Sequence, residues 1–188
     1  MKATKDRIIE VAINHIKNID QINHLTMASL AQDANIGKST IYEYFKSKAE
    51  VIEKAVKGIV DYYTNGFLEL ELTTFQDSFY RHILYLLEAI EECRNFMMVI
   101  NKEVKSINII GDAEQLICKS QEIYVERMMK IFHLGFSENK LKERITSDDY
   151  LIMGLLNGVF GLYGSKQIKS DKATIVRNLY ETILKMRG

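Results

Sequence analysis

The chain has 188 residues, balances 25 Lys and Arg against 25 Asp and Glu, and is 47% apolar with no proline. That length and composition suffice for one core or two small ones, and exclude a disordered chain. Two cysteines, Cys93 and Cys118, without a CxxC or Cys/His cluster, exclude a disulfide scaffold and give no zinc signature.

Taken in chain order, the N-terminus is charged throughout, which predicts no signal peptide. Ile8, Ile9, Ala12, Ile13 and Ile16 recur at three- and four-residue steps and predict a first helix. Thr26 is placed to cap a second, short helix. Asn35, Ile36 and Gly37 interrupt the pattern, and a third short helix runs to about Phe45. Asn35 and Gly37 are both types that tolerate left-handed backbone. Ser47 and Glu50 form a Ser-x-x-Glu capping box ahead of a long helix to about Leu72. Its apolar stripe is Val51, Ile52, Ala55, Val56, Ile59, Tyr62 and Tyr63.

Residues 77–91, 95–107, 113–134, 148–164 and 172–187 repeat the helical spacing. Gly111-Asp112 is expected to break residues 95–135, and Gly135 to Arg144 to form a polar connector around Asn139. Ser147 is expected to begin a helix with Asp148 and Asp149 favourable in its first turn. Gln167 to Asp171 reads as the last connector. No stretch shows sustained strand alternation. The run Tyr150–Ser165 is uncharged but too short and too glycine-rich for a membrane span. The prediction is an all-α protein of about nine helices. A three-helix N-terminal unit occupies residues 1–46, and a larger helical domain occupies 47–188. Helices of two turns are unstable alone, so the second and third need residues 4–20 as a packing partner.

The two short helices read as a helix-turn-helix. Leu30, Ala31 and Ala34 face inward from the first, Ile36 plugs the turn, and Ile41 and Phe45 face inward from the second. Small Ala31 lets the two helices cross closely. In such units the second helix enters the DNA major groove with its N-terminal residues first. Lys38, Ser39, Thr40, Tyr42, Tyr44, Lys46 and Lys48 are left outside. Between 37 and 48, three lysines oppose Glu43 alone, a basic patch in a neutral protein. The wider partition agrees: residues 1–48 hold seven Lys/Arg against five acids.

Over residues 7–53 the chain resembles the DNA-binding domain of the tetracycline-repressor (TetR) family of bacterial transcription regulators. Thr26, Leu30, Ala31, Ala34, Lys38, Thr40, Tyr42, Tyr44, Phe45, Ser47, Lys48 and Glu50 stand at the spacings of that family's pattern. Ile36, Ile41 and Val51 are apolar equivalents. Asn35 replaces the usual turn glycine, Gly37 stands where serine is common, Ser39 replaces a glycine, and Ile19 to Ile22 departs from the usual end of the first helix. The resemblance implies DNA contacts from Thr26, Lys38, Ser39, Thr40, Tyr42, Tyr44 and Lys48. Core packing is the alternative for Tyr42, and a solvated charge the alternative for Lys46.

In that family the last two helices form a homodimeric four-helix bundle. The resemblance implies the same here, through Leu151, Leu155, Gly158 and Phe160 of the first and Ile175, Leu179 and Ile183 of the second. Gly154, Gly158 and Gly161 leave one face nearly smooth. The alternative is packing within one subunit. Tyr63, Phe67, His82, Tyr85, Met97, Cys118, Gln121, Tyr124 and Met128 are candidates to line an adaptable apolar cavity, with ordinary core as the alternative for each.

No HExxH, P-loop, strand-borne GxGxxG or GxSxG elbow is present, so no enzyme, cofactor or metal site is expected. The expected protein is a cytoplasmic, ligand-responsive repressor without a membrane partner. A homodimer would bind a palindromic double-stranded DNA operator and be released by a small apolar or amphipathic inducer. A helical small-molecule-binding module without specific DNA binding is the alternative, and an all-α enzyme a third.

Overall fold

A computed structural model describes residues 3–18, 24–94 and 110–188. Among them every regular element is a helix: α1 (Thr4–Lys17), α2 (Met27–Asp33), α3 (Lys38–Tyr44), α4 (Lys48–Glu69), α5 (Phe75–Glu92), α6 (Ile110–Ser137), α7 (Tyr150–Gly164) and α8 (Lys172–Arg187). The helix expected over 95–107 lies outside the described residues, as does the loop at Ile19 to Ile22. The chain divides into two compact units, residues 1–62 with 93–119, and residues 63–92 with 120–188.

In the first unit, α1 buries Ile8, Ala12, His15 and Ile16. Burial of His15 was not anticipated. Its Nε2 lies 2.6 Å from Asp33 Oδ2, so α1 is tied to the end of α2 by a polar contact as well as by packing. Thr26 caps α2: the Ser29 N–H donates to Thr26 Oγ1 (3.0 Å), and the Thr26 N–H donates to Ser29 Oγ (2.9 Å). Leu30, Ala31 and Ala34 are buried as expected, and so are Ile41 and Phe45. Ile36 is only half-buried.

The turn uses one left-handed residue, not two. Asn35 has φ 50, whereas Gly37 has φ −64 and ψ 146 and serves as the N-cap of α3. The Ser47 cap of α4 forms, with the Glu50 N–H donating to Ser47 Oγ (3.2 Å). The return bond differs from the usual box: Glu50 accepts from the Lys46 N–H (2.8 Å). Val51, Ile52, Ala55, Val56 and Ile59 of α4 are buried in the first unit.

The second unit is built on an aromatic core. Phe75, Phe79, Phe132 and Tyr180 stack with ring centroids between 5.2 and 6.5 Å. Ile83, Leu87, Met128, Ile131, Ile152 and Leu156 pack with them, and α5 packs against both α7 and α8. The connector expected between Gly135 and Arg144 turns at Asn139, which has φ 56. Helix α6 runs through Gly111 and Asp112 rather than stopping there.

Two expectations about the last helices are corrected. Helix α7 is capped by Asp149, which accepts from the Ile152 N–H (3.2 Å), not by Ser147. Ile175, Leu179 and Ile183, expected at a dimer interface, are buried in the chain's own core at 4%, 3% and 0% exposure. Their four-residue spacing marks a buried stripe, and α5 of the same chain already covers it.

Candidate nucleic-acid interface

Helix α3 is short, and its buried anchors are few. Ile41 and, just past its end, Phe45 are at 0% and 1% exposure. Residues four apart share one helix face, so anchoring these two turns the rest of α3 outward. Lys38, Ser39 and Glu43 are exposed and Thr40 is half-buried. Tyr42 is 51% and Tyr44 39% exposed, so Tyr42 is not a core residue in the first unit. Lys46 is exposed and Lys48 half-buried at the start of α4. None of Lys38, Lys46 and Lys48 is ion-paired among the described residues, so their charge is not neutralised locally. Thr26 is exposed, with its hydroxyl engaged in the α2 cap.

The protruding set combines three cations, three hydroxyl-bearing side chains and two exposed phenol rings on and beside a short helix. Such groups donate to phosphate oxygens and base edges. The apolar anchors hold their backbone against α1 and α2, with the Lys5 ammonium 5.7 Å over the Phe45 ring.

The residues proposed for a ligand pocket divide into groups. Tyr63, Phe67, His82, Tyr85 and Tyr124 are brought together in the second unit. The Phe67 ring centroid is 5.0 Å from His82, 6.3 Å from Tyr85 and 5.9 Å from Tyr124. Tyr85 donates to the Tyr63 carbonyl (3.2 Å), and Tyr63 donates to Glu92 (2.6 Å). Met128 is wholly buried in the core. Cys118 and Gln121 are exposed. Met97 lies outside the described residues.

Arg127 belongs to this group as well, although no motif singled it out. Its Nε donates to His82 Nε2 (3.1 Å), and its Nη2 donates to the carbonyls of Leu68 (3.3 Å) and Leu70. His82 Nδ1 lies 2.7 Å from the Ser78 carbonyl, which assigns the ring proton to Nδ1 and leaves Nε2 as acceptor. Burial, with the nearby Arg127 and Arg81 charges, lowers the His82 pKa against the opposing bond to Ser78. No carboxylate pairs with Arg127 among the described residues. The Tyr124 hydroxyl is buried with no hydrogen-bond partner among the described residues, and burial pushes its pKa well above the usual phenol value. The one available signal was spacing: Arg127 follows Tyr124 by three residues, on one face of α6.

On α7, Leu151 and Leu162 are 46% and 43% exposed. A Cβ at Gly154, Gly158 or Gly161 would meet nothing within 4 Å. Leu155 and Phe160 are half-buried. Among the described residues, no element covers the glycine face.

Residues 22–55 match the family model described as bacterial regulatory proteins, tetR family. A Rhodococcus bacterial regulatory protein of the tetR family superposes with a TM-score of 0.70 at 13% identity, covering 100% of this chain and 98% of that one. The fatty acid degradation regulator FadR from Bacillus halodurans gives 0.66 at 15%, covering 98% and 96%. FadR from Bacillus subtilis, solved in complex with stearoyl-CoA, gives 0.63 at 18%, covering 95% and 96%. At these identities the likeness is one of fold. Comparison with curated proteins gave no match.

Proposed function

We propose, from the match of residues 22–55 to the model for bacterial regulatory proteins of the tetR family, that this chain is a ligand-responsive transcriptional repressor of that family acting as a homodimer. The observation that carries this reading is the outward face of α3, with Tyr42 and Tyr44 exposed over a buried Ile41 and Phe45. Two such helices, one from each protomer, would read the half-sites of a palindromic operator. Lys38 and Ser39 lead into the groove, Thr40, Tyr42 and Tyr44 contact backbone and base edges, and Lys48 holds a phosphate. Thr26 adds a phosphate contact from the start of α2.

The inducer is a small apolar or amphipathic molecule held by the group around Phe67. Two features support that: the unpartnered Tyr124 hydroxyl, which a ligand acceptor would satisfy, and the unpaired charge of Arg127. The complex of Bacillus subtilis FadR with stearoyl-CoA supports an amphipathic occupant for this fold. Arg127 also holds carbonyls at the end of α4, the helix that begins beside the reading head. A ligand that competes for Arg127 would bias α4, and it does so only as far as it prefers one state over the other.

The test is a gel shift with the DNA flanking the chain's own gene, repeated across salt concentrations. Lys48→Ala should weaken binding and reduce the slope of log K against log salt by about one. An unchanged slope would remove Lys48 from the contacts. Absence of a shift with any flanking DNA would leave only a small-molecule-binding module.

A further inference from the structure

We propose that the second unit carries a separate binding site for a small aromatic carboxylate, in a cleft between the last turns of α6 and residues 144–147. The cleft has a volume of about 320 Å³. That is the small end of the roughly 300–1,000 Å³ range of ligand pockets. It suits a molecule of one or two rings rather than a long acyl chain.

Its floor is apolar. Phe132 and Ile145 are buried at 1% and 7% exposure, and Met129 and Phe136 line the cleft beside them. Its rim is made of Arg144, His133, Thr146 and Ser147. Each of these can donate a hydrogen bond, and no lining residue is acidic. The Arg144 guanidinium lies 4.9 Å over the Phe136 ring. Stacking on a ring fixes the plane of a guanidinium while leaving its N–H edge available for a bidentate carboxylate.

The charge is uncompensated. Arg144 has no ion pair among the described residues. Its neighbour Glu143 lies 3.8 Å from Arg187, and Asp149 lies 3.0 Å from Arg187. Arg187 thus engages both of those carboxylates and leaves the cation of the cleft open. Aromatic floor, stacked cation and donor-only rim together select an anion with a flat apolar body. A neutral analogue keeps the ring contacts and loses the charge-assisted bonds. None of the residues around Phe67 lines this cleft, so the two sites are separable by mutation.

The full chain should be titrated with 2-naphthoate, 2-naphthamide and dodecanoate. Binding is followed by calorimetry and by the methyl signal of 13C-labelled Met129, assigned through Met129→Leu. The expected result is a 2-naphthoate Kd below about 1 mM with a moving Met129 signal, and at least about tenfold weaker binding of the amide and of dodecanoate at this signal. Arg144→Gln should lose about tenfold in affinity, and Arg144→Lys less. Arg144 is exposed, so Arg144→Gln should keep the wild-type melting temperature. Equal affinity for acid and amide, full binding by Arg144→Gln, a silent Met129 signal, or no binding at millimolar ligand would each overturn the site. No DNA enters the experiment, so its failure would not touch the repressor reading.

Discussion

Among the described residues of the head, Asn35 alone has a left-handed backbone. Its short polar side chain makes φ 50 tolerable, where most L-residues lose roughly 1–2 kcal/mol. Asn35→Ala should therefore lower stability by about 1 kcal/mol, and Asn35→Gly should leave it within about 0.5 kcal/mol, both read by urea unfolding. Both Asn35 and Gly37 were legible as turn residues. Which one turned the chain was not, because Gly37 takes an ordinary extended conformation that any residue adopts. His82 gives a second prediction at this scale. Its lowered pKa means that the unfolded chain binds a proton that the folded chain refuses. That contribution to stability is present above the ordinary histidine value of about 6.5 and is lost as pH falls below it. In His82→Gln, stability should fall less between pH 6.5 and 5 than in the wild type. An equal slope in thermal unfolding would reject His82 as the source.

At the scale of the helix, caps were the most legible feature. Thr26 and Ser47 each accept from the backbone N–H three residues on, as expected; Asp171, expected only to end a connector, does the same for α8. The start of α7 was the exception. Ser147, Asp148 and Asp149 are all good capping types, so local sequence left a choice of three. Arg187 decides it: its Nη2 lies 3.0 Å from Asp149 Oδ2, on a helix 38 positions away. The end of α6 is set by close approach. A Cβ at Gly135 would lie 2.8 Å from Leu141 and 2.9 Å from the Phe75 ring. Phe75 is fully buried and its N–H donates to Glu138 (2.8 Å), so the ring has little room to yield. Gly135→Ala should cost about 1–3 kcal/mol of overpacking, against about 1 kcal/mol of helix propensity gained. A net fall in melting temperature of a few degrees is expected by calorimetry; a rise would show that the ring moves aside.

At the scale of the whole molecule, the uncovered glycine face of α7 is the proposed dimer surface. Gly158→Leu fills open space in the protomer, so it should leave the fold intact while splitting the dimer in sedimentation velocity. An intact dimer would place the interface elsewhere. The charge balance also belongs to this scale. Residues 1–48 carry two net positive charges and the remainder two negative ones, so the neutral sum hides a basic head. Modest non-specific DNA affinity is expected, with site selection left to α3.

The sequence by itself determined the helical class, the helix-turn-helix spacing, the Thr26 and Ser47 caps and most of the buried stripes of the described helices, although Tyr62, placed on the stripe of α4, is 67% exposed. These are properties of neighbours in the chain: periodicity says which face avoids water, and a cap needs only the next three residues. Periodicity does not say what covers a face. Ile175, Leu179 and Ile183 read equally well as a partner's surface and as core, and only packing against α5 settled it. The same holds for buried polar groups. His82 and Arg127 are 45 positions apart, and Asp149 and Arg187 are 38 apart. Each pair exists because desolvation makes an unpaired group costly, and the partner is whichever residue the folded chain brings within reach.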